Sequence, residues 1–318
     1  MHKKTKPELN VAVLMLSYNS EEYIEEAIDS FLNQKGIKNW KLYVADDFST
    51  DNTRDIILNY KKSFPEKIDY FFNAKNLGIA KNLFTNYLKL NSKYVIYAAA
   101  DDIIEDRFLL RDNYNILEID KTLSFTYTNG YKFYEKKKEL KEKIKCYEPK
   151  INPFTLKEWM ENGMFYINVH SIMFRTKTYP KKFDNWVYNT IAEDYLHRVF
   201  ILLEGKGYYQ NKFSSLYRVR KKGAQNQINN NSEYIYLNSI ETMKGLDMFA
   251  QKNYSIKYFN NFYGQHMRLA IIYMFKKRFL KASAHFITTF IYKATIQDRF
   301  ILLKTMVKVF LGMQKPQF

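Results

Sequence analysis

Two carboxylates stand side by side at Asp101 and Asp102, at the end of the run YVIYAAADD, where a β-prone stretch thins to three alanines. Like charges ~4 Å apart repel by about 4 kcal/mol at an effective dielectric near 20, so a cation or water must offset them. Mn²⁺ or Mg²⁺ would suit the pair, because hard cations take carboxylate oxygens and fill the rest of their shell from phosphates. Such a metal could neutralise a departing diphosphate. Successive strand residues face opposite ways, so one of Asp101 and Asp102 is expected to meet the metal directly; which one stays open. The plainer use is to cap the turn into DRFLLRDNYNIL.

Other groups extend the pattern. Asp46 and Asp47 end another apolar run, KLYVADD, and either could accept a hydrogen bond from a uracil imide or a ribose hydroxyl. In the STDNT that follows, Ser49, Thr50 or Asp51 is expected to cap a helix. In NLGIAKN, Gly78 ahead of a helix can turn backbone N–H groups toward an anion, with Asn76 and Lys81 beside it. Thr190 and Glu193 of TIAED have capping-box spacing, which leaves Asp194 free to act as a general base. Arg218 and Arg220 in YRVRKKG, with Lys221 and Lys222, would suit a clamp on a diphosphate.

The elements that must hold these groups read as alternating strands and helices. VAVLMLSYNS, KLYVADD, KIDYFF and YVIYAAA are the strands of a parallel α/β sheet. Helices at NSEEYIEEAIDSFLNQ, DNTRDIILNY and NLFTNYLKL connect them; Asn19 or Ser20 caps the first, with Glu21 and Glu22 in its opening turn. Ligands of such sheets bind outside the carboxyl ends of the strands, where SYNS, ADDFS, NAKNLG and AAADD all lie. Further on, LSFTYTNGYKFYE reads as a hairpin about Asn129-Gly130, KKKELKEKIK as a solvated loop or exposed helix, and NVHSIMFR and SSLYRVR as strands. From Glu233 on, a helical region is expected.

The 318 residues carry a formal charge of +17 and are 46% hydrophobic, ample for a large core. Basic charge concentrates in Tyr254–Phe318, where eleven Lys or Arg face one acid, Asp298. Helices of that composition suit an anionic membrane surface, the alternative being packing on the body with basic outer faces. Nucleic acid is not the expected partner, for want of an RNA-binding signature. No stretch is long and apolar enough to span a bilayer, and MHKKTKPELN shows no secretory signal. The lone Cys146 fits a reducing compartment. The five histidines, His2, His170, His197, His266 and His285, have no HExxH spacing, and P-loop, GxSxG and GxGxxG motifs are absent.

Taken in order, LSYNSEEYIEEAIDSFLNQ, LYVADDFSTDNT, NLGIAKN, YAAADD, AEDY and YRVR resemble the family 2 glycosyltransferases. The resemblance implies a GT-A fold, a Rossmann-like mixed, mostly parallel sheet flanked by helices, over residues 1–232, followed by a basic helical appendage at 233–318. It implies a nucleotide-sugar donor, most simply a UDP-sugar, a divalent metal, and inversion at the sugar carbon. Ser17, Tyr18, Asn19 and Asp47 would line the nucleoside site, with Glu21, Asp46, Asn76, Gly78, Lys81, Asp101, Arg218 and Arg220 completing the donor site. Asp101 and Asp102 would hold Mn²⁺ or Mg²⁺, and Asp194 would be the base. Ala99 stands where the family often has an acid, and Arg220 where many relatives have a histidine. The expected acceptor is a glycan or lipid-linked saccharide, met by a cytoplasmic enzyme peripheral to the inner face of the membrane. Two rivals are a non-catalytic basic membrane- or nucleic-acid-binding protein and a sugar-nucleotide pyrophosphorylase; the latter should carry a Gly-rich phosphate loop that SYNSEEY lacks.

Overall fold

Val11 through Met15 are fully buried in the strand β1 (Leu9–Ser17), as expected of an apolar run covered on both faces. This computed structural model describes residues 9–134, 141–144, 148–162, 166–219, 237–242, 244–246 and 248–249. They belong to two compact units, Met1–Tyr188 with Glu193–Lys221, and Asn189–Ala192 with Lys222–Phe318.

The first unit opens with the alternation expected from the sequence: β1, α1 (Ile24–Leu32), β2 (Trp40–Asp46), α2 (Thr53–Ser63), β3 (Ile68–Phe72), α3 (Ile79–Tyr87) and β4 (Ser92–Ala99). These four strands are mutually parallel in the order β3-β2-β1-β4. Ile24, Ala27, Ile28 and Phe31 line the buried face of α1, and Ile57 of α2 is likewise buried. Beyond β4 come β5 (Ile103–Ile104), α4 (Leu109–Ile119), β6 (Leu123–Tyr134), β7 (Lys141–Ile144), α5 (Leu156–Glu161), β8 (Met173–Arg175), α6 (Asn185–Tyr188), α7 (Glu193–Leu202) and β9 (Lys206–Val219). They extend the sheet through β8, β6, β9 and β5, and β7 pairs with β6. The β4–β8, β8–β6, β6–β7 and β9–β5 pairs are antiparallel and β6–β9 is parallel, so the whole is a mixed sheet.

Several local expectations give way to tertiary structure. Asn129-Gly130 makes no hairpin turn; both residues lie inside β6, where the register against β9 shifts on each side of Asn129. Glycine serves there for close approach: a Cβ on Gly130 would lie 2.8 Å from Ser215 Oγ and 2.9 Å from Asn168 Nδ2. Lys141–Ile144, expected in a loop or helix, pairs with β6; 135–140 and 145–147 lie outside the described residues. The strand expected over NVHSIMFR is a 3₁₀ turn at Val169–Ser171 followed by the short β8. Neither Asn19 nor Ser20 caps α1, which starts at Ile24 with Glu25 and Glu26 in its first turn. Glu21 and Glu22 therefore precede the helix. Thr190 Oγ1 accepts the Ala192 N–H, a turn that stops short of Glu193, and bonds Thr242 within the second unit. In that unit, residues 237–242 are helical; most of the helical region expected at 233–318 lies outside the described residues.

Gly130→Ala is expected to destabilise the protein by ~1–3 kcal/mol through overpacking against Ser215 and Asn168. That should lower Tm by about 2–4 °C per kcal/mol in a thermal melt; an unchanged Tm would mean β6 and β9 can separate freely at that point.

Candidate active site

The carboxyl ends of β3, β2, β1 and β4 are laced together. Asp47 N–H donates to the Ser17 carbonyl, Asn73 N–H to that of Asp46, and Ala100 N–H to that of Leu16. Side chains then join the loops after β1 and β2. Asn19 N–H donates to Ser49 Oγ at 2.9 Å, Ser20 N–H to Thr53 Oγ1 at 2.8 Å and Thr50 N–H to Asn19 Oδ1 at 2.9 Å. Glu21 accepts from Asn52 N–H at 2.9 Å and Nδ2 at 2.8 Å, while its own N–H donates to Asp51. The start of α2 is thus capped from a neighbouring loop: its N-cap is Asn52, rather than Ser49, Thr50 or Asp51. Asp51 keeps a local role, accepting the Thr53 N–H.

Asp46 and Asp47 are both buried and fully engaged by the protein. Asp46 pairs with Arg54 and accepts from the Ser49 N–H and hydroxyl. Asp47 accepts the Leu77 and Gly78 N–H groups, each at 2.8 Å, and Asn73 Nδ2 at 2.9 Å. The N–H groups that Gly78 was expected to aim at a ligand anion therefore bind Asp47, with Asn76 Oδ1 also accepting from Gly78. Gly78 has φ +81°, a conformation that favours glycine. Lys81 and Asn76 are exposed. Tyr18 is 49% exposed, and Phe48 is 42% exposed with φ +68°, a strained backbone for an aromatic residue. Ser17 is buried, and its Oγ has no hydrogen-bond partner.

Past β4, Asp101 and Asp102 occupy a turn closed by the Asp102 N–H on the Ala99 carbonyl, so strand alternation does not separate them. Asp102 is 5% exposed. Its Oδ1 accepts the Arg218 N–H at 3.0 Å; its Oδ2 lies 2.7 Å from His170 Nδ1 but takes no aligned hydrogen bond. The Arg218 side chain donates to the Asp101 carbonyl at 3.0 Å, pairs with Glu26, and lies over the Tyr23 and Phe133 rings. Arg220, Lys221 and Lys222 lie outside the described residues.

His170 gathers the acids. Burial pushes its pKa down, but Asp102, then Asp194 and Asp101, more than offset this, and the net shift is upward. The carboxylate from the start of α7 therefore acts on the same imidazole as the pair after β4. Asp194 is exposed. Its neighbour Glu193 keeps some solvent contact, yet burial and then the Asp194 charge push its pKa up to about 8, against lowering by a backbone hydrogen bond and by Arg198.

Residues 12–179, more than half of the chain, match the model of glycosyl transferase family 2. The chain belongs to that family. TuaG of Bacillus subtilis (strain 168) is 35% identical over 92 residues, 29% of this chain and 36% of TuaG. The poly(ribitol-phosphate) beta-glucosyltransferase of Bacillus spizizenii is 31% identical over 106 residues, 32% of this chain and 16% of that protein. The chain thus spans about a third or less of the length of these curated relatives. Among solved structures, S. aureus TarS 1-349 in complex with UDP-GlcNAc is similar with TM-score 0.58 and 17% identity, covering 95% of this chain and 81% of that one. The mannosyltransferase PcManGT of Pyrobaculum calidifontis, in complex with GDP-Man and Mn²⁺, gives TM-score 0.53 and 14% identity, covering 98% and 82%. These likenesses fix the fold as GT-A-like, a mixed α/β sheet flanked by helices.

No group of three His, Cys, Asp or Glu able to hold a metal occurs among the described residues. One buried carboxylate oxygen, Asp102 Oδ2, lacks an aligned hydrogen bond. That donor set fits a hard cation that takes one or two protein ligands and completes its shell from phosphate oxygens and water. His170 is the site residue that the sequence pattern missed. HExxH spacing does not mark it, since the acids that act on it come from the turn after β4 and the start of α7; only its polar, mid-chain NVHS setting was visible.

Glu193 makes the fold sensitive to pH. With its carboxyl raised from 4.5 to about 8, the folded state holds a proton that the unfolded chain releases, so stability falls as pH rises between those values. Glu193→Gln should flatten that decline and raise Tm near pH 8 by ~2–4 °C, the equivalent of about 1 kcal/mol. Parallel Tm–pH curves for the two proteins would remove Glu193 as the cause.

Proposed function

We propose that this chain transfers a sugar from a UDP-sugar to a hydroxyl of a glycan or lipid-linked saccharide, with inversion at the sugar carbon. Membership of family 2 supports the reaction class. The observation that supports the site is the 2.7 Å contact of Asp102 with His170, whose pKa the charges of Asp194 and Asp101 also raise.

Ser17, whose buried hydroxyl is unpartnered, with Tyr18 and Asn19, borders the nucleoside. The exposed Tyr18 ring offers a face for base stacking. Asp47 acts mainly by fixing the Leu77–Gly78 backbone around that pocket, and Asp46 and Glu21 by fixing the loops beside it. Asn76, Gly78 and Lys81 flank it. Arg218, beside Asp101, adds positive charge for the diphosphate, a role the sequence reading also gives Arg220. Asp102, with Asp101, would hold Mn²⁺ or Mg²⁺, which when bound offsets charge on the leaving diphosphate. Asp194 accepts the acceptor hydroxyl's proton as that oxygen attacks; its exposure gives an acceptor access. The domain reading places catalysis within 1–232. Residues 233–318 associate the enzyme with the anionic inner face of the cytoplasmic membrane, a reading supported by the basic charge of Tyr254–Phe318. No described helix is long and apolar enough to cross a membrane.

Calorimetric titration of UDP with and without Mn²⁺ tests this. Metal-dependent binding should be lost in Asp102→Ala, and failure of both UDP and GDP to bind would end the proposal. Asp194→Asn should keep UDP affinity within about twofold while lowering kcat by ~10²–10⁴; unchanged turnover would exclude Asp194 as base. Deleting Tyr254–Phe318 should reduce co-sedimentation with vesicles containing anionic lipid, and equal sedimentation would refute the membrane role.

A further inference from the structure

We infer that His170 is a metal-ligating residue, its Nδ1 joining Asp102 Oδ2 as the protein's share of a divalent-cation shell completed by the donor's diphosphate. This rests on the reading of the chain as a nucleotide-sugar transferase. It adds a ligand from an element, the 3₁₀ turn Val169–Ser171, that the sequence motifs do not include.

Asp102 supplies the first half of the argument. Its Oδ1 is committed to the Arg218 N–H, which fixes the plane of the carboxylate, while Oδ2 is buried without an aligned hydrogen bond. Polar atoms buried in that state call for a missing partner. His170 supplies the second half: Nδ1 stands 2.7 Å from that oxygen, so the two potential donor atoms are in direct contact. Neighbouring ligands of an octahedral ion at ~2.1 Å stand about 3 Å apart. A shift of a few tenths of an ångström would admit the ion; His170 must then present Nδ1 as a lone pair, so any proton held there leaves for solvent as the ion binds.

The turn that carries the imidazole is fixed in place: Asn168 Oδ1 accepts the His170 backbone N–H and Asn168 Nδ2 donates to Ser215 Oγ at 3.0 Å, while the ring centroid lies 5.1 Å from that of Tyr217. Asp101 and Asp194 add negative charge around it, a field that attracts a cation. Carboxylate and water suit both Mg²⁺ and Mn²⁺, and of the two only the first-row transition ion readily adds an imidazole nitrogen. The same pair therefore implies selection of Mn²⁺ over Mg²⁺.

The test uses the untagged full-length chain with UDP and Mn²⁺, read by pulsed electron paramagnetic resonance. A directly bound imidazole should modulate the echo through its ¹⁴N nucleus. The modulation should vanish in His170→Gln, with Mn²⁺ affinity falling ~10–100-fold and the preference for Mn²⁺ over Mg²⁺ narrowing. A Mn²⁺–UDP complex of the unsubstituted protein without nitrogen modulation overturns the inference and leaves the transferase reading standing. So does modulation that persists in His170→Gln. If UDP binding shows no dependence on metal, both the inference and the metal-assisted reading fall. Because the decisive spectrum comes from the unsubstituted protein, the result does not depend on whether the variant folds.

Discussion

A carboxylate buried at the rim of a sheet loses several kcal/mol of hydration unless polar partners replace the water. Asp102 finds one such partner far along the chain, in the Arg218 backbone of β9, with the His170 imidazole 2.7 Å from its other oxygen. Much of the first unit's second half follows from this requirement. β9 must run back beside the end of β4, and Arg218, once there, reaches the Asp101 carbonyl and Glu26 on α1. The acid pair is thus both a chemical group and a knot that gathers α1, the β4 end, the 3₁₀ turn and β9.

What the sequence reveals and what it hides separate along one physical line. The alternation from β1 to β4 was legible because each element declares itself locally, through continuous apolar strands and helices with one buried stripe. Asn129-Gly130 misled for the opposite reason. Its turn chemistry is real, but pairing with β9 and the narrow space beside Ser215 overrule it. The α1 caps failed in a similar way: the Asn19 N–H and side chain and the Ser20 N–H engage Ser49, Thr50 and Thr53 across the loop, and no side chain caps the helix. Asp46, Asp47 and Asp102 were visible as candidate acids, yet their partners were not, since Arg54, Leu77, Gly78, His170 and Arg218 are set by tertiary contact.

Two histidines show how far residue type alone falls short. His170 lies among carboxylates that, against the pull of burial, raise its pKa. His197, equally plain in the sequence, is buried with its ring centroid 4.6 Å from that of Tyr97 and 4.8 Å from that of Phe174. Burial, aided by Arg198, pushes its pKa down to about 3, so it stays neutral, with Nδ1 hydrogen-bonded to the Tyr179 hydroxyl. One imidazole belongs to the rim and the other to an aromatic core.

The lacing of the loops after β1 and β2 carries a thermodynamic consequence. Loops that must order around a ligand give up conformational entropy at the moment of binding, and the affinity is weakened by that amount. Here Asn19, Glu21, Ser49, Asp51 and Asn52 already restrain one another across the gap between strands. A nucleoside settling there would meet a preorganised floor, so its contacts could be expressed as affinity and rapid capture instead of being consumed in shaping the pocket.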